Sequence, residues 1–160
     1  MVSAHLLVWV AALIMQSALL GRAMFAIMSL SDLENDFLNP YDLCGRLNRY
    51  VGVEYAVQGA LALSLLLSGN WFTGAAHLAV LGYMVHLWAG NKVYVDATDA
   101  FRQLPEQKRQ RLVQLGAHTA LFMVVVYRLI ETAVHTLMTP EGRALTQRLL
   151  KEAAGSTHGY

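Results

Sequence analysis

The sequence predicts an all-α integral membrane protein with four transmembrane helices, a short hairpin between the second and third, and both termini luminal. The composition favours the membrane class: 56% of the 160 residues are hydrophobic and 14% are charged, whereas soluble domains are about a quarter charged. The arrangement agrees, since long apolar stretches alternate with short polar ones. About 20 apolar helical residues cross a hydrocarbon core about 30 Å thick.

The first apolar stretch covers residues 4–30 and is interrupted by Gln16 and Arg22. It is longer than the apolar core of a signal peptide, which has about 7–15 residues, and no Lys or Arg precedes it. We therefore interpret residues 4–30 as a retained transmembrane helix.

The next apolar region, residues 51–89, contains Ser68-Gly69-Asn70, a strong turn signal. As one helix the region would be about twice as long as a bilayer core is thick, at about 1.5 Å per residue. We therefore predict two helices, 51–67 and 71–89, joined as a short hairpin. Short spans of this kind suit a thin bilayer such as that of the endoplasmic reticulum.

The last apolar stretch, residues 112–138, predicts a final span, which Pro140 ends. A four-helix transmembrane domain would then cover residues 1–138. Residues 139–160 would form an amphipathic and polar luminal tail, with a short helix ending at Gly155.

Lys and Arg residues are concentrated in the two segments between spans, 31–50 and 90–111. The positive-inside rule places such segments in the cytoplasm and therefore both termini in the lumen. The cations in the two loops are Arg46, Arg49, Lys92, Arg102, Lys108, Arg109 and Arg111, against Arg143, Arg148 and Lys151 in the tail.

The charge balance and the cysteine content exclude several functional classes. With 12 basic and 11 acidic residues, the chain lacks the basic excess of a nucleic-acid-binding protein. Cys44 is the only cysteine, so neither an intrachain disulfide nor a thiolate metal cluster can form. No nucleophile–base set and no phosphate-binding glycine loop is recognisable. We therefore predict no enzymatic activity and no cofactor.

An acidic segment lies between the first two apolar regions and reads SDLENDFLNPYDLCGRLN over residues 31–48. Its spacing differs from the glycine-centred calcium loop that ends in Glu. We therefore predict a solvated loop without a metal. Ser31 or Asp32 is a candidate helix cap within it, since both residue types accept backbone N–H bonds.

Some polar residues fall within the predicted spans. His77 and His118 form no HExxH pair, and we expect them to pack and hydrogen-bond between helices. Arg128 and Glu131 are three residues apart and are expected to pair on one helix face. Glu54 opens the second span and is expected at the membrane surface.

Several stretches together resemble the cornichon family, small integral proteins of the early secretory pathway, and most of all its fungal and plant branch. They are the acidic segment, Glu54, the GNWF turn at 69–72, and NKVYVDATDAFRQLPEQKRQRLVQLGAHTALFMVVVYRLI at 91–130. The resemblance covers about residues 1–135.

The resemblance implies a transmembrane cargo receptor that selects membrane-protein cargo for COPII vesicles and cycles between the endoplasmic reticulum and the Golgi. The implied partners are transmembrane cargo proteins, the cargo-binding subunit of the COPII coat and the lipid bilayer, and a homo-oligomer is left open. The alternative is an auxiliary subunit held stably on a channel or transporter.

The resemblance also implies roles for individual residues. The coat-binding residues would be Phe101, Arg102 and Leu104. The cargo-binding residues, on the second span and the hairpin, would be Leu65, Leu66, Leu67, Trp71 and Phe72. The family's acidic loop corresponds to Asp32, Glu34, Asp36, Asn39 and Pro40.

Phe101 and Leu104 are three residues apart and would share one exposed face of a helical turn, with Arg102 alongside. Such an apolar pair suits a groove on a protein partner. The alternative is an interfacial anchor that folds onto the bilayer surface.

The charge asymmetry makes the topology testable. A glycosylation acceptor introduced near Ser156 should be modified in the endoplasmic reticulum, and one introduced near Asn91 should not, because only the tail is predicted to be luminal. A gel-mobility shift that endoglycosidase reverses measures both. Modification at Asn91 with an unmodified tail would invert the topology.

Overall fold

The computed structural model describes residues 2–156, which form six helices joined by short turns and loops and contain no strand. Four segments are long and apolar enough to cross a membrane: Ala4–Glu34, Pro40–Leu67, Trp71–Ala89 and Ala100–Met138. The prediction of an all-α chain with four such segments is therefore confirmed. The helices are α1 (Val2–Glu34), α2 (Pro40–Asn48), α3 (Val51–Leu67), α4 (Trp71–Ala89), α5 (Ala100–Met138) and α6 (Pro140–Ser156).

Three of these helices end at a residue in the left-handed conformation. After α3, Gly69 has a φ of 78°, its N–H donates to Leu66 O at 3.0 Å, and Asn70 N–H donates to Leu65 O at 2.9 Å. This pair of bonds is the Schellman motif, which satisfies carbonyls that the helix end leaves unpaired. Equivalent bonds end α1 and α4 around Asp36 and Asn91, whose φ angles are 58° and 52°.

The acidic segment is mostly helical. α1 continues through Glu34, so Ser31 and Asp32 lie inside it, and the expectation that one of them caps a helix is wrong. Asn39 is the N-cap of α2 instead: its Oδ1 accepts from Tyr41 N–H at 2.7 Å. Pro40 follows at the first helical position, where its missing N–H costs little.

The last helix begins earlier than the span that we predicted. Residues 100–111, predicted as part of a loop, form the start of α5. The segment is rich in Gln, Lys, Arg and Leu, which are good helix formers. Pro105 lies near the helix start, where the loss of one intrahelical bond is tolerated. At about 1.5 Å per residue α5 is about 58 Å long, so it projects well beyond a core about 30 Å thick.

α1 and α5 pack antiparallel along their lengths, and α3 packs against both α1 and α4. Buried apolar side chains fill the middle of this bundle, and Trp9 is the largest of them, with 2% exposure. α6 follows α5 after Thr139 and packs against it, so the helix predicted in the tail is confirmed. The central core comprises Trp9, Ala12, Leu19, Leu61, Leu65 and Val125.

A buried ionic cluster joins three helices. Glu54 Oε1 on α3 forms an ion pair with Arg22 Nε of α1 at 2.8 Å, and Glu54 Oε2 accepts a hydrogen bond from Arg111 Nη1 of α5 at 3.1 Å. Glu54 is 8% exposed and Arg111 is 3% exposed. Glu54 therefore lies in the interior of the bundle, which its position at the start of a span did not indicate, and Arg111 is interior although we predicted it in a cytoplasmic loop. We call Arg22, Glu54 and Arg111 the arginine–glutamate triad.

Two buried glutamines connect further helices. Gln16 Nε2 donates to His118 O at 2.8 Å, joining α1 to α5. Gln58 Nε2 donates to His77 O at 2.9 Å, joining α3 to α4. Both histidines are buried, as the packing interpretation predicted, and both act as acceptors through their main-chain oxygens.

The triad generates a stability prediction. Glu54→Gln leaves two buried guanidinium groups without their counter-charge, and breaking a buried pair in this way costs about 3–5 kcal/mol. Unfolding of the full chain in detergent micelles measures the loss. The matched control is Glu106→Gln, which breaks the exposed Lys92–Glu106 pair and should cost far less, because exposed pairs contribute little to stability. Equal losses for the two variants would contradict the structural role of the triad.

Candidate functional site

The two loop segments form one surface at one end of the bundle. The ends of α1 and α5, helix α2 and the 90–99 loop share a single apolar core. We call the surface built by residues 35–48 and 90–104 the loop platform. Its core comprises Ala26, Leu30, Leu33, Leu43, Leu47, Val95, Ala100 and Leu104.

Asn48 fastens the 90–99 loop to α2. Its Nδ2 donates to Val95 O at 2.8 Å, and its Oδ1 accepts from Val95 N–H at 3.0 Å. Cys44 Sγ lies 3.1 Å from the same carbonyl. One residue of the loop therefore has both of its main-chain groups paired with α2, as a residue in a strand would.

The rest of the loop is held by its own turn and by α5. Asp96 Oδ1 accepts from Thr98 N–H at 2.9 Å and from Thr98 Oγ1 at 2.8 Å, and these bonds, the backbone one first, lower the pKa of the Asp96 carboxyl. Gln107 Nε2 of α5 donates to Lys92 O at 2.7 Å. The loop has a defined conformation on which α5 can begin.

The three candidate coat-binding residues do not share one surface. Phe101 is 57% exposed, whereas Leu104 is 9% exposed and belongs to the platform core. The prediction of an exposed Phe101–Leu104 pair is wrong because Leu104 follows Ala100 and precedes Arg111 on the buried face of α5. Arg102 is exposed and forms an ion pair with Asp99.

Phe101 instead faces the acidic segment. A groove of about 470 Å³ separates them, and its lining includes the predicted acidic-loop residues Asp36, Asn39 and Pro40 together with Asp42. Residues about 60 positions apart in sequence therefore form one acidic, aromatic groove, which we call the platform groove. Its lining residues are Asp36, Phe37, Leu38, Asn39, Pro40, Asp42 and Phe101.

The other two acidic-loop residues lie elsewhere. Asp32 lies within α1, and its main-chain oxygen accepts from Phe37 N–H at 2.8 Å. Glu34 pairs with Lys108 of α5, away from the platform groove. Sequence reasoning missed Phe37 and Tyr41, which are 82% and 73% exposed. The sequence signal that could have identified them is an aromatic residue on each side of Asn39 within an otherwise polar segment.

The candidate cargo-binding residues are also divided. Leu65 is buried in the central core, so it cannot lie on a surface open to a partner. Leu66 is half-buried, with its side chain close over Gly74, where an added Cβ would come within 2.6 Å of Leu66. The exposed residues surround the α3–α4 turn: Leu67, Trp71 and Phe72 are 80%, 72% and 86% exposed.

The opposite end of the bundle contains a polar cavity of about 430 Å³ beside the α3–α4 turn. Arg128 Nη1 donates to Glu131 Oε2 at 2.7 Å, which confirms the predicted pair. The Arg128 guanidinium also lies over the Trp9 ring, 5.6 Å from its centroid. His5 and His135 complete the polar lining.

Sequence reasoning did not identify the buried polar interior. The sequence does contain a signal for this interior, because its polar residues recur at the spacing of one helix face. Gln107, Arg111, Gln114 and His118 follow one another at intervals of four, three and four residues on α5, as one face of a helix requires. Glu54 and Gln58 are four residues apart on α3. Among residues 2–156, no group of three His, Cys, Asp or Glu side chains is placed to hold a metal.

Comparison with known proteins identifies relatives along most of the chain. The family model "Cornichon protein" matches residues 6–127. "Protein cornichon homolog 2" of Oryza sativa subsp. japonica is 36% identical over 148 residues, which cover 92% of this chain and 99% of the rice protein. "ER-derived vesicles protein erv14" of Schizosaccharomyces pombe is 30% identical over 127 residues, covering 79% of this chain and 93% of that protein.

"ER-derived vesicles protein ERV15" of Saccharomyces cerevisiae is 34% identical over 104 residues, which cover 62% of this chain and 70% of the yeast protein. No solved structure matches the chain. The family match includes α1 to α4 and most of α5, and therefore contains the loop platform and the α3–α4 turn. It ends before α6.

The platform geometry makes Asn48 testable. Asn48→Ala removes both side-chain hydrogen bonds to Val95, and each bond contributes about 1 kcal/mol net to stability. Because the loop then opens more readily, the amide exchange rates of residues 93–99 should rise about tenfold or more. Hydrogen exchange followed by mass spectrometry measures the change. The control is Asn35→Ala, which loses one bond within the end of α1. If both variants exchange alike, Asn48 does not hold the loop.

Proposed function

Because the chain belongs to the cornichon family, we propose that it is a transmembrane cargo receptor that selects membrane-protein cargo for COPII vesicle export from the endoplasmic reticulum to the Golgi. The observation that carries this proposal is the pair of yeast relatives named as ER-derived vesicles proteins. The four apolar segments agree with a multi-pass protein of such membranes. We assign it no catalytic activity.

In the proposed topology the loop platform faces the cytoplasm and both termini face the lumen. The excess of Lys and Arg in segments 31–50 and 90–111 supports this orientation. A coat that assembles on the cytoplasmic surface would then meet the platform first. The α3–α4 turn and the polar cavity would lie at the luminal side of the bilayer.

We propose that the coat binds at the platform groove. Phe101 supplies an exposed aromatic side chain, and Arg102 stands beside it, ion-paired with Asp99. Across the groove, Asp36 and Asp42 supply acceptors for a partner's cations or N–H groups. Exposed aromatic anchors surrounded by polar groups are typical of residues that dominate binding energy. Leu104 has a different role, since it anchors α5 in the platform core.

We propose that cargo helices pack against the exposed residues around the α3–α4 turn. Leu67, Trp71 and Phe72 are large apolar side chains, and each is at least 72% exposed. Trp and Phe at this depth can alternatively serve as an interfacial belt, which the experiment below distinguishes. The turn lies at the far end of α3 from the platform, so coat binding and cargo binding use separate surfaces.

Two variants test the separation of the surfaces. Phe101→Ala with Arg102→Ala should stay folded and keep its cargo, while packaging into coated vesicles falls severalfold because the coat contact is lost. Trp71→Ser with Phe72→Ser should be packaged normally but recover severalfold less cargo, because the intramembrane contact is lost. A reconstituted vesicle-budding assay measures packaging of the full chain, and crosslinking followed by mass spectrometry measures bound cargo.

The matched control is Tyr127→Ala, which removes an exposed aromatic side chain outside both surfaces. If the platform variant loses cargo and the turn variant loses packaging, the two surfaces are assigned the wrong way round. Retention of cargo by the turn variant would leave Trp71 and Phe72 as a lipid-facing belt. Stable co-purification with one channel or transporter at the cell surface would favour the auxiliary-subunit alternative.

A further inference from the structure

A second groove lies at the loop end of the bundle, between α1 and α5. It has a volume of about 410 Å³ and is separate from the platform groove. Ile27, Leu104, Pro105 and Leu112 give it an apolar lining. Leu112 is 60% exposed, so the groove opens on the outer face of the bundle, where the bilayer lies.

One rim of this groove is basic. Lys108 and Arg109 lie on α5, three to four residues before Leu112, which places them about 5 Å further along the helix axis. Arg109 is exposed and interacts electrostatically with Glu106, but it forms no salt bridge within residues 2–156. The neighbouring carboxylate of Glu106 is paired with Lys92 at 2.9 Å. Lys108 is paired with Glu34 on the facing end of α1.

The order of these features matches the depth profile of a bilayer. Because α5 is about 58 Å long, its first residues project beyond a hydrocarbon core about 30 Å thick. After Phe101 in its first turn, the next large apolar side chains that α5 exposes are Leu112 and Val113. Ile27 and Leu112 therefore lie at the depth of acyl chains, the two cations lie at the depth of lipid headgroups, and Leu104 and Pro105 line the outer end of the groove.

We propose that this groove binds one anionic phospholipid, with an acyl chain along Ile27 and Leu112 and the headgroup on Lys108 and Arg109. The charge of the rim selects an anionic headgroup over a zwitterionic one. The adjoining apolar lining, within one helical turn of the cations, selects a lipid over a free phosphate or a protein segment. The cytoplasmic leaflet, where the proposed topology places this groove, carries the anionic lipids of a cell membrane.

Glu34 acts as an internal competitor in this site. Its carboxylate occupies Lys108 when no lipid is bound, and the two side chains are 51% and 37% exposed. Exposed pairs of this kind are weak, so an anionic headgroup can displace Glu34 from Lys108. Lipid binding therefore replaces the Glu34 carboxylate at Lys108 with the lipid headgroup. The headgroup also pairs with Arg109.

Native mass spectrometry of the full chain in detergent tests the proposal. The probes are palmitoyl-oleoyl phosphatidylserine and phosphatidylcholine, which have the same acyl chains. Arg109→Gln should weaken phosphatidylserine binding about fivefold, the effect of one cation near a membrane surface, and leave phosphatidylcholine binding unchanged. Glu34→Gln should strengthen phosphatidylserine binding, because it leaves Lys108 without its carboxylate.

The matched control is Arg46→Gln, which removes one exposed cation of the loop platform outside this groove. It should leave phosphatidylserine binding unchanged. An equal loss with Arg46→Gln and Arg109→Gln, or equal binding of the two lipids by the unmodified chain, would overturn the proposal. So would displacement of the lipid by an equal concentration of glycerophosphoserine, since that result would mean that the apolar lining contributes nothing.

This test is independent of the proposed cargo-receptor function. Detergent exposes both ends of the bundle, so the result does not depend on which side is cytoplasmic. None of the three substituted residues belongs to the platform groove or to the α3–α4 turn. Thermal unfolding of each variant in the same detergent should match the unmodified chain, which excludes loss of the fold as the cause.

Discussion

The arginine–glutamate triad is the constraint on which the rest of the bundle depends. One carboxylate, Glu54, is shared by two cations from different helices, and all three side chains are largely withdrawn from solvent. Buried charges are tolerated only when paired and hydrogen-bonded. The relative positions of α1, α3 and α5 are therefore set where these helices meet, because a shift of any one would leave a buried charge unpaired.

The triad also supports the loop platform. Arg22 Nη2 donates to Leu47 O at 3.0 Å and to Arg46 O at 3.3 Å, at the carboxyl end of α2. A cation there satisfies unpaired carbonyls and complements the helix dipole. Since α2 in turn holds the 90–99 loop through Asn48, one buried charge cluster is linked through two sets of hydrogen bonds to the surface proposed to bind the coat.

The chain distributes polarity in the way that a bilayer favours. Its interior contains glutamines and histidines that bond between helices, and its outer face exposes large apolar side chains such as Leu63, Val85 and Met123. In a hydrocarbon surrounding, apolar side chains gain little by being buried, and hydrogen bonds between helices contribute to association. The polar residues that interrupt the apolar stretches are therefore what gives this small bundle a defined packing.

Much of the architecture was predictable from local sequence. Apolar length identified four segments that are long and apolar enough to cross a membrane. Gly69-Asn70 marked the break in residues 51–89, because α3 ends at a residue in the left-handed conformation. The i, i+3 spacing of Arg128 and Glu131 predicted their pair. The acidic segment and the 91–130 stretch identified the family. Each of these signals lies within a few turns of chain, where geometry depends on neighbouring residues.

Only the tertiary structure decided which polar residues are interior and which apolar residues are exposed. Arg111 lies among cations that resemble a cytoplasmic loop, and Glu54 opens a span, yet the two meet because α3 and α5 converge there. Leu104 and Phe101 are equally apolar in sequence, but the buried face of α5 includes Leu104 and excludes Phe101. The physical reason is that burial depends on contacts between segments more than 50 residues apart, whereas a helical period specifies a face without specifying what covers it.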